Sequence, residues 1–193
     1  MIFLDPLFIR QLYIQLYIKA QLLKRMKLST LSQLDDTQAS AVFKQCCSAS
    51  RWVKLMVSAM PFRSKTAIQN AAARFWKSMR SADYMEAFDS HPKIGDPDSL
   101  KKKYWSTRSL AANEQSSVEQ ANDNVLQELA QYNNDYETKF GYIFIVCATG
   151  KTAAEMLKLI KTRINHRPDQ EITIAVAEQA KIMSIRIDKL IEE

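Results

Sequence analysis

Glycine and proline are scarce in this chain, at three and five residues of 193. So little punctuation excludes many short strands joined by tight turns, and it predicts an all-α chain of long helices. Cysteine is as rare. Cys46, Cys47 and Cys147 form an odd set, two of them adjacent and ill-placed to bridge each other. A disulfide framework is therefore excluded, and a reducing, cytoplasmic setting is expected. No CxxC or His/Cys cluster occurs, so no metal is expected. Long apolar runs are missing too. The most apolar stretch, Leu12 to Ile18, is interrupted or flanked by Arg10, Gln11, Gln15, Lys19 and Gln21. Nothing there approaches the ~20 residues of a membrane span. A signal peptide does not fit either, because most of the charges follow the apolar part. Finally, His91 and His166 are the only histidines, which leaves few candidates for an acid or base working near neutral pH.

What is present suits one globular domain with a sizeable core: 47% of residues are hydrophobic and 25% charged. The net charge is +6, and Arg10, Lys19, Lys24, Arg25 and Lys27 against Asp5 supply four of those six charges. The rest of the chain needs no basic groove, so no nucleic-acid partner is expected. Residues 1–25 read as an extension, helical or dispensable, ahead of a domain at 26–193. A rival role gives the chain no catalysis. It would be a helical binding module, docking on a membrane or a protein through this basic amphipathic N-terminus.

Helix signals recur along the domain. Asp35 or Asp36 caps a helix to about Cys46, and Ser48 or Ser50 caps the stretch Trp52 to Val57. Ser64 opens a helix on which Ile68, Ala71, Ala72, Phe75 and Met79 share a face. Ser81 starts a short helix through Tyr84, Met85 and Phe88, which must end at Ser90-His91-Pro92 because a residue before proline is pushed out of helical geometry. Residues 93–112 read as a loop, with Lys101-Lys102-Lys103 as a solvated face. A long helix is expected from near Ser116 to Phe140, with Val118, Ala121, Val125, Leu129, Tyr132 and Tyr136 on one side, until Gly141 breaks it. Tyr142 to Cys147 is wholly apolar and too short for a helix, so it reads as buried extended chain or a one-turn element. Thr152 caps a helix through Arg163, and Asp169 opens the last one.

Several motifs could carry chemistry. Thr149-Gly150-Lys151-Thr152 has the end of a phosphate-binding loop, but Ile145 stands where that loop needs its first glycine, so a turn and a cap is the better reading. Ser116-x-x-Glu119 is formally a capping box, yet Ser116, Glu119 and Gln120 also share one helix face and could read a small polar ligand. His91, taken alone, fits a surface turn, and His166 sits in a polar turn. Arg186 lies along an apolar face with Ile182, Met183 and Leu190, where its guanidinium needs a carboxylate from the protein or from a ligand.

Taken in order, these strings resemble the 2-oxo-4-hydroxy-4-carboxy-5-ureidoimidazoline (OHCU) decarboxylases of urate breakdown. The resemblance runs from about Met26 to the C-terminus. It rests on Trp52, Met60-Pro61-Phe62, His91-Pro92-x-Ile94-Gly95, Ser116-x-x-Glu119-Gln120, the run from Phe140 to Ala148, and Ala180-Lys181-Ile182 with Arg186. It implies an all-α lyase without a cofactor, usually a homodimer, that turns its small-molecule substrate into (S)-allantoin and carbon dioxide. His91 would be the catalytic acid/base and Pro92 a pocket wall. Glu119 would act with His91 or orient the substrate's N–H groups. Ser116, Glu119 and Gln120 would hold the substrate, and Arg186 its carboxylate or ureido oxygen. The backbone of Phe144, Ile145, Val146, Cys147 and Ala148 would face the ring.

Overall fold

The computed structural model describes residues 25–91 and 115–192, and within the helix that begins at Gln115 it describes side chains from Asn124 onward. The expected extension, the 93–112 loop and the lysine run lie outside the described residues, apart from Arg25. The all-α expectation holds, with eight helices among the described residues. Two compact units emerge. One comprises the described residues up to Ser78 together with those from Met183 onward, and the other runs from Met79 to Ile182.

The first unit holds α1 (Leu28–Leu31), α2 (Asp36–Cys46), α3 (Ser50–Ser58), α4 (Lys65–Lys77) and the end of α8 (Pro168–Leu190). Asp35 caps α2 as expected: its carboxylate accepts the Gln38 N–H at 2.8 Å, and the Gln38 side chain accepts the Asp35 N–H. Ser64 likewise caps α4, but the helix stops at Lys77 and leaves Met79 beyond it. At α3 the expectation fails. Ala49, not Ser48 or Ser50, occupies the cap and makes no side-chain bond. Ala49 is fully buried, so packing outweighs capping at that position.

Trp52, Phe43 and Phe62 form the aromatic centre of this unit, with Phe43 edge-on to both partners at 6.2 Å. Burying a side chain of this size contributes about 1.5–3 kcal/mol. The Trp52 indole N–H also donates to the Ala72 carbonyl at 3.1 Å, which fixes α3 against α4. The end of α8 is tied to α4 by Gln69 with Ser184 and by Lys65 with Asp188. One feature has no precursor in the helix pattern: β1 (Met26–Lys27) pairs in parallel with β2 (Ile191–Glu192), Met26 opposite Ile191.

The second unit holds α5 (Ser81–Asp89), α6 (Gln115–Phe140), α7 (Ala153–Arg163) and most of α8. Helices α6 and α7 pack along each other, and Leu129 and Tyr136 of the first and Met156 and Ile160 of the second are fully buried. Gly141 ends α6 with φ +77°, and its N–H bonds the Glu137 carbonyl at 2.8 Å. The left-handed turn releases the chain into a non-helical run, 143–148, in which Phe144 to Cys147 are buried. Thr152 and Glu155 then form the box that starts α7. Among the described residues no helix is long and apolar enough to cross a membrane.

Candidate active site

Helix α5 ends where the sequence requires. Ser90 closes it, and the His91 N–H bonds the Phe88 carbonyl at 3.1 Å instead of continuing the helical ladder. His91 is thus held at a helix end, half-buried, rather than exposed on a free turn. Its Nε2 lies 2.7 Å from Oε1 of Gln179 on α8, whose side chain is 1% exposed. The amide nitrogen of Gln179 is buried and has no partner among the described residues.

The run 143–148 is fixed through its backbone. Arg163 Nη1 donates to the Ile145 carbonyl at 2.9 Å, and its guanidinium lies 4.6 Å over the Phe144 ring. Glu178 Oε2 accepts the Cys147 N–H at 2.7 Å. Lys151 Nζ donates to the Cys147 carbonyl at 2.8 Å, and its N–H to the Ala148 carbonyl. Thr149-Gly150-Lys151 is therefore a turn that closes this run. Among the described residues, the N–H groups of Ile145 and Val146 and the carbonyls of Phe144 and Val146 make no hydrogen bond. Burial, the largest influence on the Glu178 carboxyl, pushes it up. Hydrogen bonds from Lys181 and from the Cys147 N–H, with the Lys181 and Arg163 charges, outweigh it and hold the group below its usual range.

Behind this run sits a buried ionic cluster that the sequence did not reveal. Glu171 is fully buried and accepts Arg163 Nε at 2.7 Å and the Tyr136 hydroxyl on one oxygen, while His166 Nδ1 lies 2.8 Å from the other. Burial, then the bond to Glu171, pushes the Tyr136 hydroxyl far up, so it remains a donor. The available signal was spacing: Met156, Ile160 and Arg163 share the inward face of α7. His166, which fitted a polar turn, is anchored to this cluster.

Arg186 belongs to the first unit. Its Nη1 donates at 3.3 Å to the carbonyls of Gln45 and Cys46, the last residues of α2. The expected carboxylate partner is thus replaced, within the protein, by carbonyls at the negative end of a helix dipole. Burial pushes the adjacent Cys46 thiol up to about 12, against the opposing Arg186 charge. Pro92 lies outside the described residues. Ser116, Glu119 and Gln120 fall inside α6, but their side chains, and with them the capping box, also lie outside. An open groove of about 670 Å³ along α7, lined by Leu157, Lys158, Lys161 and Thr162, involves none of the expected site residues.

Known proteins resemble this chain in sequence and fold. The family model for OHCU decarboxylase matches residues 32–188. The chain is 37% identical over 151 residues to the uric acid degradation bifunctional protein TTL of Arabidopsis thaliana, covering 78% of the chain but only 47% of that relative. It therefore spans about half the length of that bifunctional protein. It is 23% identical to the 2-oxo-4-hydroxy-4-carboxy-5-ureidoimidazoline decarboxylase of Halalkalicoccus jeotgali, covering 86% of the chain and 92% of that protein. Among solved structures, an OHCU decarboxylase crystallised with (S)-allantoin aligns at a TM-score of 0.65 and 35% identity, covering 83% of this chain and all of that one. An (S)-allantoin synthase structure, at 15% identity, covers 86% of this chain and 54% of that one and shares the fold with a TM-score of 0.62. Matched across its helical body from residue 32 to 188, the chain belongs to the OHCU decarboxylase family.

Proposed function

We propose that this chain decarboxylates 2-oxo-4-hydroxy-4-carboxy-5-ureidoimidazoline to (S)-allantoin, with His91 as the acid/base. The observation that carries the reading is the setting of His91: a half-buried imidazole at a helix end, held through one ring nitrogen by a buried amide, in a chain of this family. The carbon–carbon bond to the carboxylate breaks, carbon dioxide leaves, and the electron pair flows into the adjacent unsaturated C–N system of the ring. A proton must then reach one face only, which sets the chirality of the product. The protein's tasks are to orient the carboxylate out of the ring plane, to stabilise the developing charge, and to deliver that proton.

Arg186 is the proposed holder of the carboxylate or ureido oxygen. With Nη1 spent on the α2 carbonyls, its remaining N–H groups keep a fixed direction. Pro92, Ser116, Glu119 and Gln120 complete the proposed substrate contacts, and the peptides of Phe144 to Val146 offer hydrogen bonds to the ring. A homodimer is part of the same proposal, tested by sedimentation of the purified chain. For the activity, freshly generated substrate is mixed with the enzyme and followed by circular dichroism. A chiral signal of (S)-allantoin growing in proportion to enzyme is expected, and only racemic product at the spontaneous rate would refute the reading.

A further inference from the structure

Gln179 occupies a place where leucine would pack more comfortably. Ala175 and Met183, one turn to either side on α8, are both buried and apolar, and Gln179 itself is 1% exposed. A buried amide left half-satisfied is costly, because its desolvation is not repaid by a hydrogen bond. The Gln179 nitrogen is left without a partner among the described residues, and its oxygen makes one side-chain contact, with His91 Nε2 at 2.7 Å. The cost is therefore concentrated on a residue whose side chain holds the imidazole.

We propose that Gln179 is the positioning residue of the reaction, holding His91 as the Nε2–H tautomer so that the proton moves on and off Nδ1. An amide oxygen can only accept, so the ring nitrogen facing it must donate. Nε2 donates both in the neutral Nε2–H ring and in the imidazolium. The bond to Gln179 therefore survives each gain and loss of a proton at Nδ1, with no rotation of a buried amide. A reversed amide would make a bond only to the neutral ring and would lose it on protonation. The neutral partner also matters: a carboxylate at this position would favour the charged ring, whereas an amide fixes direction without holding the proton.

This inference rests on His91 being the acid/base of the proposed function, and its test separates the two. Two-bond ¹H–¹⁵N spectra of the full chain report the tautomer directly, with the His91 signals assigned by their loss in His91→Asn. The neutral wild-type ring should show a protonated Nε2 and an unprotonated Nδ1. Gln179→Leu, with Gln179→Met as a second variant should leucine not fold, should mix the tautomers. Either variant should lower kcat by roughly tenfold, by analogy with the lower end of the effect of removing a group that orients a metal-bound imidazole, while KM stays within about twofold and thermal stability is kept or raised. A wild-type Nδ1–H tautomer, or folded variants with unchanged kcat, would overturn the proposal. If the wild-type protein makes no (S)-allantoin, the functional reading fails, and the tautomer spectrum still decides whether Gln179 holds the ring.

Discussion

Glu178 accepts the backbone N–H of Cys147 at 2.7 Å while its neighbour on α8, Gln179, holds His91. Two consecutive residues of one helix thus fix two parts of the proposed site, the acid/base ring and the apolar run between α6 and α7.

The Glu178 contact gives the protein an acid-sensitive component. Folding holds this carboxyl below its ordinary value of 4.5. Its contribution to stability is therefore complete above that value and fades as pH falls through the lower folded one. Urea unfolding of wild type and Glu178→Gln between pH 3 and 7 should show a shallower acid limb in the variant, with the two curves converging at the acid end. Parallel limbs would mean that the carboxylate contributes nothing through ionisation.

Breaking the buried pair behind that run should be far more damaging. Arg163→Met leaves Glu171 charged, buried and short of its main partner, and leaves the Ile145 carbonyl without its donor. A loss of about 3–5 kcal/mol is expected in urea unfolding. Replacing both partners with methionine should cost clearly less than the sum of the single changes, since no unpaired charge remains. Additive costs would show that the two side chains do not act as a pair.

Gly141 offers a purely conformational test. Its φ of +77° suits glycine, and a β-carbon there would meet nothing within 4 Å. Gly141→Ala should therefore cost about 1–2 kcal/mol through the backbone alone, and Gly141→Asn less, because asparagine tolerates the left-handed region better. Calorimetric melting checks the order Gly above Asn above Ala.

Features set by neighbouring residues were legible in the sequence. Asp35, Ser64 and Thr152 cap helices because each cap bond reaches only three residues along the chain. Pro92 dictated the end of α5, and with it the place of His91. Gly141 announced the turn into the buried run. Long-range partners were not legible. Arg163 shares a helix face with Met156 and Ile160, but nothing local says that Glu171 and Tyr136 close around it. Arg186 reads as a guanidinium needing a partner, but helix-end carbonyls make no mark in a sequence. The two-residue pairing of Met26 with Ile191 joins distant parts of the chain and is too short to leave a periodic pattern. At Ala49 a fully buried alanine displaced either nearby serine from the cap, because packing outweighed a local preference.

The role of His91 is tested most directly by steady-state decarboxylation with His91→Asn, whose fold is checked by its far-ultraviolet spectrum and melting curve. Asparagine keeps a polar side chain at the helix end but can neither take up nor release a proton near neutral pH. The variant should stay folded and lose the enzyme-dependent formation of (S)-allantoin, with kcat down by about 10²-fold or more. A folded His91→Asn protein that turns over at the wild-type rate would contradict the assignment of His91 as the acid/base.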